Sequence, residues 1–174
     1  EPYSHWHNKA EAAIRALKRL YKKISHGLPI PRKYWFYLLR HCSDTLNRTA
    51  LNIYSLEGKT PYEKLHGEVP DIGPWLKFKY GEPVFFNFQK ATQHSRDFPP
   101  DDTKQIGRWL GVYRHDAATR TFYILTKEKG SAAVLTRSDV IPWTAEEKKN
   151  PEFIRQLAQF DAAIMRNDNN DSRT

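Results

Sequence analysis

The hydrophobic period of this chain changes across the Pro- and Gly-marked stretch from Val69 to Pro74, and that change limits the folds open to it. Before it, Ala10, Ile14, Leu17, Tyr21 and Ile24 recur at helical spacing with basic residues opposite them. This is the pattern of an amphipathic helix, over about 8–26. Gly27 followed by Leu28-Pro29 ends that helix, with Gly27 just past its last turn. Pro31 suits the first position of a second helix, where its missing N–H would have no partner anyway. Trp35, Leu38, Leu39, Cys42, Leu46 and Ala50 then make one apolar face over about 31–50. That face would pack on the first helix or on a sheet from outside the sequence. Thr60-Pro61 caps a short third helix, Tyr62 to His66, that Gly67 stops.

After the change, Pro83–Gln89, Ile106–Tyr113, Thr121–Thr126 and Ala132–Thr136 are short and rich in β-branched and aromatic residues. Turn signals at His115-Asp116 and Lys129-Gly130 separate the later ones. Four or five short strands in roughly 60 residues predict a small β-barrel of the SH3-like kind. Gln93 to Asp102 reads as an exposed, flexible insertion. Thr144-Ala-Glu-Glu147 has capping-box spacing and predicts a terminal helix to about Met165, before a polar tail that is expected to be disordered. The chain is thus predicted to be α+β, with a helical part at 1–67, a small barrel at 68–143, and a terminal helix and tail at 144–174.

The charge is as uneven as the hydrophobicity. Of a net +8, residues 1–50 hold 10 Lys/Arg against 3 Asp/Glu, while 51–143 hold 13 against 11 and 144–174 hold 5 against 6. A polyanion would therefore meet the first two helices, although a basic helix face is also often just solvated. One cysteine excludes an internal disulfide, and Cys42 falls on the apolar stripe of the second helix, as a core residue would. His41 beside it points to another helix face, which argues against a Cys/His nucleophilic pair. His5 and His7 are two apart with no second ligand pair in reach of Glu11. No apolar run approaches membrane length and no signal peptide is present, so neither a membrane partner nor secretion is expected.

Glu11 opens the first helix, and Arg15, Lys18 and Lys22 follow on its own face, with Arg19 beside them. Two readings of that carboxylate stay open. It can hold a divalent metal beside a phosphodiester, or it can complete a capping box with Asn8, three residues earlier.

Pro2-Tyr-Ser-His-Trp-His-Asn-Lys-Ala-Glu11 resembles the last catalytic segment of copia-type retrotransposon integrases, where a Pro-rich turn precedes the third carboxylate of an Asp, Asp, Glu triad. Leu28-Pro-Ile-Pro-Arg-Lys-Tyr-Trp35, Leu46-Asn-Arg48, Lys59-Thr-Pro-Tyr-Glu-Lys-Leu-His-Gly67 and Gly107-Arg-Trp-Leu-Gly111 resemble later segments of that family in the same order. His7 stands where the family usually has Gln, and Asn8 where many members have Gly. The resemblance implies the C-terminal helices of a ribonuclease-H-like integrase core, followed by an SH3-like appendage. It makes Glu11 the catalytic and metal-binding carboxylate for Mg²⁺, and it makes His7, Asn8, Arg15, Lys18, Arg19 and Lys22 nucleic-acid contacts.

Both aspartates of the triad would lie upstream of residue 1, so the isolated chain is expected to be inactive and, beginning with Glu rather than Met, to be a piece of a polyprotein. Expected partners are DNA, the rest of the polyprotein and further copies of the chain, in a nuclear or cytoplasmic particle. The alternative is a non-catalytic nucleic-acid or chromatin-binding module. In that reading Tyr80, Phe86, Trp109, Tyr113, Tyr123 and Trp143 of the barrel would form a binding surface or a methyl-lysine cage, or else simply its core.

Overall fold

The computed structural model describes residues 9–50, 56–87, 104–113, 120–128 and 130–166. The predicted insertion at 93–102 and the polar tail lie outside the described residues.

Helix α1, Lys9–Ser25, packs Leu17, Leu20, Tyr21 and Ile24 toward the core. Gly27 follows with φ 74°, a left-handed conformation that costs a glycine little. The second helix starts later than its sequence pattern suggested. Pro31 is followed by a single 3₁₀ turn, Arg32–Tyr34, and α2 runs over Trp35–Asn47. Its end is early too, and near it the Thr45 and Thr49 hydroxyls donate to the carbonyls of His41 and Thr45 at 2.9 and 2.7 Å.

The buried face of α2 is also rotated from the predicted one. Leu38 and Cys42 are buried, but Trp35 is 54 % exposed and Ala50 is exposed, while Tyr34 and Tyr37 pack on the core instead. Residues 34–39 are apolar or aromatic without a break, so the period alone cannot choose between neighbouring stripes. The sheet chooses. Tyr37 meets Tyr123 edge-on at 5.0 Å, Arg40 donates to the Tyr123 hydroxyl at 2.9 Å, and Tyr34 donates to the Ala132 carbonyl at 2.7 Å.

Helix α3, Pro61–His66, begins where Thr60 Oγ1 accepts the Glu63 N–H at 3.0 Å and stops at Gly67, φ 77°. A single helical turn, α4 over Gly73–Leu76, lies in the stretch read as a connection, with Asp71 Oδ1 accepting the Gly73 N–H at 2.8 Å.

Five strands follow: β1 Pro83–Asn87, β2 Lys104–Val112, β3 Phe122–Glu128, β4 Ser131–Arg137 and β5 Val140–Pro142. They form one antiparallel sheet in the order β4-β3-β2-β1-β5, with Val84 opposite both Gly107 and Pro142. The sheet is not closed, with β4 and β5 as its edges. A register shift between Trp109 and Gly111 bends β2, and Gly111 takes φ 127° there. Gly107 answers a different demand. A Cβ on it would press into Ile124 and stand 3.0 Å from the Leu125 carbonyl oxygen.

The Thr144/Glu147 capping box forms, with reciprocal bonds of 3.1 and 2.7 Å. It opens only a 3₁₀ turn, Glu147–Lys149, and not the one long helix its spacing predicted. Pro151 forces Asn150 into extended backbone, ψ 121°, and the chain starts again as α5, Pro151–Arg166, capped by Asn150 Oδ1 on the Glu152 N–H at 2.9 Å.

Helix α5 is fixed by apolar and ionic contacts. Phe153 packs on Phe85 and Trp143, and Ile164 is fully buried. Arg108 of β2 grips Asp161 with two bonds of 2.7 and 2.6 Å and also donates to the Gly81 carbonyl. Lys148 pairs with Glu82 at 2.9 Å. Burial opposes the Glu82 carboxylate, but hydrogen bonds from Lys148 and from the Lys79 N–H outweigh it and hold its pKa low. Leu38 and Cys42 of α2, the sheet residues Val84, Phe86, Trp109, Phe122 and Ile124, and Ile164 of α5 form one hydrophobic cluster.

Candidate nucleic-acid interface

The helix that buries Leu17, Leu20, Tyr21 and Ile24 must turn its other positions to solvent. Arg15, Lys18, Arg19 and Lys22 are all exposed there, so the first helix carries the basic face its sequence predicted. Glu11 sits in the first turn, half-buried, and Lys22 and Lys23 in the last, so the charges also suit the helix dipole. The structure thus brings Glu11, Arg15, Lys18, Arg19 and Lys22 together on α1. His7 and Asn8 lie outside the described residues, and with them the proposed cap of Glu11.

Among the described residues no three His, Cys, Asp or Glu side chains come together to hold a metal. Asp44, the next acidic residue along the chain, is buried on α2 and paired with Arg48 at 3.7 Å. Glu11 alone supplies one hard oxygen ligand to Mg²⁺, so the described residues do not complete a site and no catalytic step follows from them.

The other candidate chemistry is folded away. Cys42 is fully buried, and burial pushes its thiol up to about 11. The neighbouring His41 lies 5.2 Å from the Tyr80 ring and 5.4 Å from Trp109, and burial lowers its imidazole to about 4. At neutral pH neither is a thiolate or a cation. The aromatic cage fares no better. Tyr80, Phe86, Trp109 and Trp143 are buried, while the half-buried Tyr113 and Tyr123 meet edge-on at 5.2 Å.

Two sequence segments that carried the integrase resemblance meet in space. Arg48 stacks on Trp75 at 3.9 Å and on Tyr62 at 5.3 Å, which ties the end of α2 to α3 and α4. In the Gly107–Gly111 segment, Gly107 allows close packing, Arg108 holds α5, Trp109 fills the core and Gly111 takes the bulge. These residues have structural work to do.

No protein-family model, curated protein or solved structure matches this chain.

One feature of the surface was not legible in the sequence. Trp35 and Phe36 are 54 % and 53 % exposed, next to the exposed Arg32 and Lys33. The only signal for it was the excess of apolar residues at the start of α2, more than one helix face can bury.

Proposed function

We propose that this chain binds duplex DNA through the basic face of α1, as the C-terminal part of the catalytic core of a copia-type integrase together with its downstream appendage. The observation that carries the DNA reading is the exposed row Arg15, Lys18, Arg19 and Lys22 in a chain of net charge +8. In this reading Glu11 heads the row as the carboxylate that would contribute to an Mg²⁺ site, with its two aspartate partners supplied from outside this sequence. The antiparallel strand order β4-β3-β2-β1-β5, with β5 returning to pair with β1, supports an SH3-like appendage. A non-catalytic nucleic-acid module is the second reading, favoured by the way Glu11 also complements the helix dipole.

Duplex binding should weaken linearly with the logarithm of salt, and Arg15, Lys18 and Lys22 replaced together by Gln should flatten that slope by about 0.9 per lost phosphate contact. Filter binding or anisotropy across a salt series reads this directly. Equal slopes for the two proteins would end the assignment to α1.

A further inference from the structure

The basic stripe does not end at Lys22. Ser25, one helical step further along that face, donates to the Lys22 carbonyl at 3.3 Å and lines a cleft of about 590 Å³. Across the cleft stand Arg32, Tyr34 and Trp35, with Tyr21 and Tyr80 also in its wall. Trp35 is more than half exposed and meets the equally exposed Phe36 edge-on at 6.4 Å. Tyr80 is 93 % buried by its 7 % exposure, and its hydroxyl has no hydrogen-bond partner among the described residues. The cleft therefore joins one arginine, a half-exposed indole and a buried hydroxyl in want of a partner over an apolar floor that includes Leu28, Ile30 and Leu38.

From this we infer that the cleft between α1 and α2 takes an unpaired nucleobase of single-stranded DNA, stacked on Trp35, with its phosphates on Arg32 and the α1 stripe. The charge decides the class of occupant. Arg32 lines the cleft, and the exposed Lys22 and Lys33 adjoin its lining residues Tyr21, Arg32 and Tyr34 in sequence. A polyanion carrying flat rings matches both these charges and the indole. The strand must be single, because a paired base in a duplex keeps its faces stacked on its neighbours and cannot offer one to Trp35. The volume falls in the range of small-ligand sites, ample for a base. This inference rests on the DNA reading above and adds a second mode, on the aromatic side of the same basic face.

The test uses the whole chain with two labelled probes, an oligothymidylate of about 12 nucleotides, within the span of small single-strand-binding folds, and a duplex of the same length. Trp35→Ala should weaken oligothymidylate binding about fivefold to a hundredfold, Trp35→Phe should retain most of it, and duplex affinity should be unchanged in both. Because Trp35 is exposed, circular dichroism should show both variants folded. Unchanged single-strand affinity in Trp35→Ala, or an equal loss on both probes, overturns the inference. So does a dimer of the parent chain in sedimentation that Trp35→Ala dissolves without loss of single-strand binding, since the indole then serves a second copy. A parent chain that binds duplex but not oligothymidylate refutes the cleft alone. A parent chain that binds neither refutes the DNA reading as well.

Discussion

His41 shows how far a residue's neighbours can move it from its ordinary chemistry. In the sequence it is the histidine next to the only cysteine. In the fold it is wedged beside Tyr80 and Trp109, where burial lowers its imidazole from 6.5 to about 4. The native state holds His41 neutral while the unfolded chain takes up a proton below about 6.5, so the unfolded state binds more protons in between. The stabilisation is therefore fully present above pH 6.5 and is lost as pH falls toward 4, by at most about 3 kcal/mol. Urea midpoints from pH 7 to 4 should fall for the parent chain, and His41→Phe should flatten the curve in that window. A parallel fall in both proteins would place the proton uptake elsewhere. The Glu82 carboxylate, held low by hydrogen bonds from Lys148 and from the Lys79 N–H, is another group whose protonation in acid removes native contacts.

At the scale of elements, the ends of α1 and α3 were legible in the sequence, whereas both ends of α2, the start of α5 and the buried stripe of α2 were not. Thr60 with Gly67 bounds α3 as read, because caps act through backbone groups only three or four residues away. The Thr144/Glu147 box also formed, yet Pro151 three residues beyond it broke the run and gave α5 a new start. Which stripe of α2 is buried was not local information, since it depends on where Tyr123 and the Ala132 carbonyl stand. The attachment of α5 was equally hidden. Arg108 and Asp161 are 53 residues apart in sequence but bonded twice at 2.7 and 2.6 Å, with both side chains largely out of water. Asp161→Asn leaves the Arg108 charge without its counter-ion and should cost about 3 kcal/mol or more. Faster amide exchange and proteolysis confined to 151–166 would show α5 detaching alone, while even exchange throughout would show that it does not.

For the molecule as a whole, the continuity of the core matters more than the segments read along the chain. Leu38 and Cys42 from the helical part, Trp109 and Phe122 from the sheet, and Ile164 from α5 belong to one cluster. Trp109 is fully buried at its centre, in contact with His41, Phe78 and Phe122. Trp109→Ala should cost about 3–5 kcal/mol and lower helical and sheet signals together. A single transition by far-ultraviolet dichroism and by tryptophan fluorescence is the expected result. A helical transition that stayed put while the sheet melted would show α1 and α2 standing independently of Trp109.

By itself the sequence determined the α+β class, the amphipathic α1 with its basic face, the caps of the short helices and the approximate place of four strands. All of these rest on periodicity, on turn chemistry or on charge carried within a few residues. Only the tertiary structure decided that β5 pairs with β1, that the sheet stays open, that α2 shows Trp35 to solvent, and that Arg48 joins Tyr62 and Trp75. Each of those depends on groups far apart in the chain competing for the same small volume of dry space, and a one-dimensional pattern holds no record of which of them wins.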